Sequence, residues 1–292
     1  MLQTHLDAAL AHGRSFISQG KVADYIPALA KADANDLGLC LMTTDGRCYT
    51  AGNVSTRFSI QSISKVLNLV IAIQTIGYDA VFEKVKMEPS GDAFNSIIKL
   101  DTDSDIPFNP MINSGAIVVA SLLVPFYDFS DILARIKELC LDPDITLNCE
   151  VYESEHATGF RNRSIGYLLK SKGVISEKTD VEQVLDLYFK LCSLNVTAKS
   201  LAGFGLLLAN KGIHPTTGKR LLDPLIVNTV KTLMLTSGMY DGSGEFAVRG
   251  GIPSKSGVGG GILSFVNQKA GIGVYGPALD AKGNSVAGIE ML

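Results

Sequence analysis

Two hydrophobic periods alternate along this chain, and the places where one gives way to the other divide it into three stretches. Residues up to about Ala30 read as helix, with Ile26-Pro27 near its start or in a following turn. Leu37-Gly38-Leu39-Cys40-Leu41-Met42-Thr43 reads as a strand. Asp45-Gly46 is a two-residue hairpin signal, and Arg47-Cys48-Tyr49-Thr50 continues as the partner strand. Arg57-Phe58-Ser59-Ile60 is again strand-like. From Ser62 to about Asn210 the spacing is helical. Residues 66–73 are apolar almost all round, which predicts a buried central helix ending near Gly77. Further helices are predicted over 112–123, 129–138, 164–170 and 181–191, separated by turns rich in Gly, Pro and Asp. After Pro224 the texture changes, and residues 261–266 and 270–275 read as adjacent strands joined at Asn267-Gln268-Lys269.

Strand-rich ends around a helical middle predict an α+β fold whose antiparallel sheet is built from both termini. Residues 1–60 and 220–292 would form the sheet part and 61–219 a mainly helical part, with a cleft between them. No repeat or low-complexity linker interrupts this.

Composition narrows the function. A chain of 292 residues with 46% hydrophobic residues can bury a large core. Lys and Arg total 26 against 29 Asp and Glu, a net charge of -3, and the charges are interspersed. That balance gives no basic surface for nucleic acid and no polybasic segment for a membrane. The longest apolar run, 116–126, contains Pro125 and is too short for a span. The N-terminus lacks a signal-peptide pattern, and the five cysteines are odd in number with no C-x-x-C pairing. A soluble cytoplasmic protein is expected. The four histidines show no ligand spacing, so no metal is expected, and His156 beside Glu155 reads as a solvated loop residue. Gly271-Ile272-Gly273-Val274-Tyr275-Gly276 matches G-x-G-x-x-G, but Pro277 stands where a helix should open. These glycines are expected to serve close packing of a strand.

The strongest chemical signal is Ser62-Ile63-Ser64-Lys65. Residues three apart share a helix face, so the Lys65 amine can sit beside the Ser62 hydroxyl and activate it. A second match, Ser18-Gln19-Gly20-Lys21, has no apolar helix behind it, whereas Ser62 opens the central one. Lys255-Ser256-Gly257 is the kind of second motif that partners such a pair in penicillin-recognising enzymes. Other polar residues stand where an ordinary core would not want them. Asn113 opens an apolar helix and Glu155 and Asn162 bracket Thr158-Gly159-Phe160-Arg161; capping would explain each equally well. Tyr188 on an apolar face could be core. Tyr240, in Ser237-Gly238-Met239-Tyr240-Asp241, falls in a turn.

In order along the chain, Gly20–Pro27, Phe58–Lys65, 109–117, 155–167, 188–193, 237–241, 253–262 and 283–288 resemble the serine-dependent glutaminase family, of the serine β-lactamase-like fold group. The resemblance implies that Ser62 attacks the side-chain amide of L-glutamine with Lys65 in contact. It implies that Tyr240, and also Tyr25, relay a proton to the departing ammonia, and that a γ-glutamyl ester is then hydrolysed. Backbone N–H groups of Ser62 and Val258 would form the oxyanion hole. Glu155 would hold the substrate ammonium, with Asn113, Asn162, Tyr188 and Tyr25 serving the carboxylate and amide. Arg161 would be structural and Lys255 would tune the electrostatics. No cofactor is implied; a homo-oligomer, dimer or tetramer, is. Two alternatives stay open: a β-lactamase or D-alanyl peptidase using the same pair, and a glutamine-binding module without turnover.

Overall fold

Five antiparallel strands form the main sheet of the computed structural model, which describes residues 2–89, 96 and 105–292. They are β1 (Gly38–Thr43), β2 (Cys48–Gly52), β3 (Ser254–Ser256), β4 (Gly261–Val266) and β5 (Ala270–Tyr275), in the order β2-β1-β5-β4-β3. The central contact, β1 with β5, joins the two ends of the chain: Leu39 lies opposite Val274 and Leu41 opposite Ile272. The sheet built from both termini is therefore present.

Alternation sets what each face meets. Leu39, Ile262, Ile272 and Val274 pack against the Leu2–Arg14 and Val286–Met291 helices through Leu6, Ala287 and Met291. Cys40, Leu263 and Phe265 point the other way, towards the Ala198–Ala209 helix. On this face a Cβ at Gly271 would lie 2.0 Å from the Leu206 nitrogen, and one at Gly273 1.9 Å from the Ala198 carbonyl oxygen. The G-x-G-x-x-G stretch is thus the seat of a helix on a strand, as its lack of a following helix predicts.

Beyond that helix lies the larger core, centred on the helix Ser64–Ile76, whose residues 64–73 are all buried. The helix reaches the sheet through a small ribbon in which Phe58–Ser59 pairs with Leu194–Val196 and the latter with Thr146–Leu147. A second cluster joins the helices Asn113–Leu123 and Val181–Cys192 through Ile117, Val118, Val184 and Leu185.

Three expectations need correction. The N-terminal helix ends at Arg14, not near Ala30. Between Arg14 and Ala32 the chain instead forms a 3-10 turn, a strand Lys21–Val22 paired with Ala278–Leu279, and a second turn at Leu29–Lys31. Gly20 and Pro27 break the helical run, and strand pairing satisfies the freed backbone. The C-terminal part holds two helices before its first strand, Pro224–Ser237 and Ser243–Gly250. Asp223 caps the first by accepting from the Leu225 N–H, and its apolar side joins the central core. Glu155 and His156 lie inside the helix Cys149–Thr158, so His156 is exposed but not in a loop. No helix among the described residues is long and apolar enough to cross a membrane.

Candidate active site

A cleft of about 140 Å³ opens where the central helix begins, and Ser62, Asn113, Glu155, Asn162, Tyr188, Val258 and Tyr25 all line it. Lys65 and Tyr240 stand buried beside it. All nine residues expected from the sequence are therefore brought together.

Ser62 sits in a 3-10 turn, Gln61–Ile63, between the Phe58–Ser59 strand and the helix proper, which starts at Ser64. Gln61 takes a left-handed φ of +50°. Such a conformation costs on the order of 1–3 kcal/mol in a residue with a side chain and persists only where its surroundings hold it. Here the Gln61 amide donates to the Ser59 hydroxyl at 3.2 Å, and the Ser64 hydroxyl donates to the Gln61 carbonyl at 2.8 Å. The glycine loop after Lys255 presses against the same turn. A Cβ at Gly259 would come within 2.2 Å of the Ser59 oxygen, and one at Gly257 within 2.6 Å of the Ile60 oxygen. Glycine at both positions lets the backbone of Val258 come up against the turn that carries Ser62.

The Lys65 amine is fully enclosed. It donates to the Met111 carbonyl at 3.2 Å and to Asn113 Oδ1 at 2.6 Å. Asn113 then donates through Nδ2 to Asn162 Oδ1 at 2.9 Å, which leaves the Asn162 amide nitrogen for the cleft. Burial lowers the Lys65 pKa to about 8, although Cys192 and Glu155 act the other way. Glu155 is the counterpart: burial raises it to about 7, while the Gln61 amide and the Lys65 charge pull it down. Its Oε1 has no hydrogen-bond partner among the described residues, so it stands ready to accept from a cationic donor in the cleft.

Tyr240 is also left-handed, with φ +51°. Burial pushes its hydroxyl well above the ordinary phenol value, and the Ser62 hydroxyl and the Val258 N–H oppose this, so all three groups meet. The Lys255 amine lies 4.4 Å from the centre of the Tyr240 ring and donates to the carbonyls of Gly238 at 3.1 Å and Ser256 at 2.7 Å. Burial, then the nearby Lys65 charge, holds Lys255 well below the usual lysine range. Tyr188 is deeply buried near Cys192 and Glu155 and is pushed up by burial. Tyr25 differs: its residue is 57% exposed, yet its hydroxyl feels Tyr240 and Glu155 across the cleft and is raised, mainly by desolvation. It forms the outer wall.

Of the lining residues that carry no role in the sequence reading, Gln61 and Cys192 act on the ionisable groups of the cleft. Gln61 meets Glu155 through its side-chain amide, a contact between segments far apart in the sequence. Cys192 lines the cleft one helical turn after Tyr188, and that i,i+4 spacing is the signal that could have found it. Arg161 lies on the rim. A larger cavity of about 410 Å³ lies on the far side of the Tyr240 turn, against Phe246 and Ile289, and none of the nine residues lines it. Position beside the buried ionisable groups, not size, marks the smaller cleft as the site. Among the described residues no three His, Cys, Asp or Glu side chains converge as metal ligands.

The family model described as Glutaminase matches residues 20–292. The chain belongs to the glutaminase family. Glutaminase 2 of Clostridium perfringens is 48% identical over 295 residues, covering 100% of this chain and 96% of that protein. The glutaminase of Fusobacterium nucleatum is 52% identical over 283 residues, covering 96% and 92%. Among solved structures, a probable glutaminase from Bacillus subtilis complexed with 6-diazo-5-oxo-L-norleucine matches with TM-score 0.89 and 35% identity, over 99% of this chain and 92% of that one. A covalent complex of a Bacillus subtilis glutaminase with 5-oxo-L-norleucine, formed by reaction with the diazo compound, matches with TM-score 0.89 and 35% identity, over 100% and 96%. The fold shared with these structures is the serine β-lactamase-like one expected.

Proposed function

We propose that this glutaminase-family chain hydrolyses the side-chain amide of L-glutamine to L-glutamate and ammonia, with Ser62 as the nucleophile. The observation that carries the residue assignment is the meeting of the Ser62 hydroxyl, the Tyr240 hydroxyl and the Val258 N–H beside a lysine whose pKa burial has brought to about 8. A neutral amine has two hydrogens and one lone pair. The bonds from Lys65 to Met111 and Asn113 occupy the hydrogens and leave the lone pair for the Ser62 proton.

Ser62 Oγ attacks the amide carbon as Lys65 takes its proton. The amide oxygen becomes an oxyanion on the N–H groups of Ser62 and Val258, donors of a kind that contribute on the order of 10²–10³ in rate each. Tyr240 passes a proton to the amide nitrogen, with Tyr25 closing the site, and is recharged from Lys65. Ammonia leaves, a γ-glutamyl ester remains on Ser62, and a water molecule cleaves it to glutamate. Glu155 receives the substrate ammonium in a charge-assisted contact. Asn162, held by Asn113, and Tyr188 present neutral donors to the carboxylate. The covalent complex recorded for the Bacillus subtilis relative supports a covalent route.

The test is ammonia release from L-glutamine, with L-asparagine as the competing substrate. Glutamine-selective release is expected, and Ser62→Ala lowers it by at least about 10⁴, as for other nucleophile deletions. Near-normal release by that variant would remove Ser62 from the role. The reading extends to a reducing, cytoplasmic setting, which the five free thiols support. It extends also to a homo-oligomer, for which the exposed Phe160 and Tyr167, on one face of the Phe160–Ser171 helix, are the supporting surface; sedimentation at micromolar concentration tests that.

A further inference from the structure

We propose that Asn284 is a positioning residue for Tyr240: its side-chain amide, together with the Ser243 hydroxyl, holds the strained Tyr240 turn in the geometry that lets Tyr240 protonate the leaving ammonia. The inference rests on the reading of Tyr240 as that acid.

A tyrosine at φ +51° is out of place unless something fixes it. Two side chains do. Ser243 Oγ accepts from the Met239 N–H at 3.0 Å and donates to the Tyr240 carbonyl at 2.7 Å, bridging both ends of the strained unit. Asn284 Nδ2 donates to the Met239 carbonyl at 3.2 Å from the other side. The base of Asn284 is itself fixed, because its N–H donates to Asp280 Oδ1 at 2.9 Å and its carbonyl accepts from the Asp280 N–H at 2.8 Å. Next to it Gly283, at φ +92°, is the flat surface on which the Tyr240 ring rests; a Cβ there would stand 3.5 Å from Tyr240 Cε2.

The rest of Asn284 argues that stability is not its purpose. The residue is 1% exposed, and its Oδ1 has no hydrogen-bond partner among the described residues. A single 3.2 Å hydrogen bond from such a side chain adds little net stability. The hydrogen bond its side chain makes among the described residues goes to the Tyr240 turn, which is what a positioning role requires.

The test separates amide from thioester chemistry. Glutamine releases an amine that must be protonated, whereas the γ-methyl thioester of L-glutamate expels a thiolate that need not be. Asn284→Ala should lower kcat on glutamine on the order of 10²-fold, the scale expected of an ångström of misplacement. It should leave KM and thioester turnover essentially unchanged. Asn284→Asp keeps the shape without the donor and should behave alike, and so should Ser243→Ala; these serve if the alanine variant does not fold. Equal loss on both substrates, or loss on neither, overturns the proposal. Tyr240→Phe is run beside them. If it shows no amide-selective loss, the assignment of Tyr240 fails; if it shows the loss and the Asn284 variants do not, only the positioning role fails.

Discussion

Lys65 is buried beside the cleft and Glu155 in its wall, and each is held close to its switching point at neutral pH. Both conditions for turnover, an ionised Glu155 and a neutral Lys65, are met as pH rises. kcat/KM for glutamine should therefore climb through pH 7 and level off above about pH 8, following the pKa values of about 7 and about 8. A profile flat from pH 6 to 9 would contradict both assignments. The same burial affects stability. Because the folded-state pKa of Glu155 lies above its ordinary 4.5, its favourable contribution is complete below 4.5 and is lost as pH rises through about 7. Above that it costs on the order of 3 kcal/mol. Glu155→Gln should thus raise Tm at pH 8, a gain that shrinks towards pH 5, while KM for glutamine rises. An unchanged KM would move the ammonium site elsewhere. At this scale the sequence was informative only for contacts set by local spacing. Ser62 and Lys65 are placed three residues apart by the sequence itself; the contacts of Gln61 with Glu155 and of Asn284 with Met239 exist only after distant segments meet.

Elements were legible where the period was clean and both faces were buried. The β4–β5 hairpin and the central helix fall where alternation and the apolar run put them. The Pro224–Ser237 helix has a start signal, Asp223-Pro224, and buries a clean face through Ile226, Val227, Val230, Leu233 and Met234, but Leu225 on its exposed side and Thr229 on its buried side blur that period in the sequence. The segment after Arg14 is harder still, since its two-residue strand is stabilised by Ala278 and Leu279 from the opposite end of the chain. The glycines of β5 give the sharpest test at this scale. Gly273→Val would drive a side chain into the Ala198 carbonyl and must displace the Ala198–Ala209 helix. It should cost at least the ~1–3 kcal/mol of an overpacked site, read as a lower urea midpoint. A midpoint equal to the parent's would mean that the helix is not seated on the strand.

For the whole molecule, the cleft lies where the sheet, the central helix and the Cys149–Thr158 helix converge, so a ligand there ties together segments from residue 25 to residue 258. Binding should therefore stabilise the fold as a unit. In Ser62→Ala, which should hold glutamine without consuming it, a hundredfold excess over Kd should add about 2.7 kcal/mol. The shift should vanish when Glu155→Gln is added, and persistence of the full shift would argue for binding outside this cleft. Family membership was readable from the sequence because its landmarks run in order over the whole chain; the depth of the cleft and the protonation of its walls were not, since both depend on packing.

The claim on which everything else depends is that Ser62 is the nucleophile. The most direct measurement is treatment with 6-diazo-5-oxo-L-norleucine and then peptide mapping by mass spectrometry. The expected result is stoichiometric inactivation with one adduct on the peptide carrying Ser62, absent in Ser62→Ala. Inactivation with the adduct on any other residue, or full activity after prolonged treatment, would contradict it.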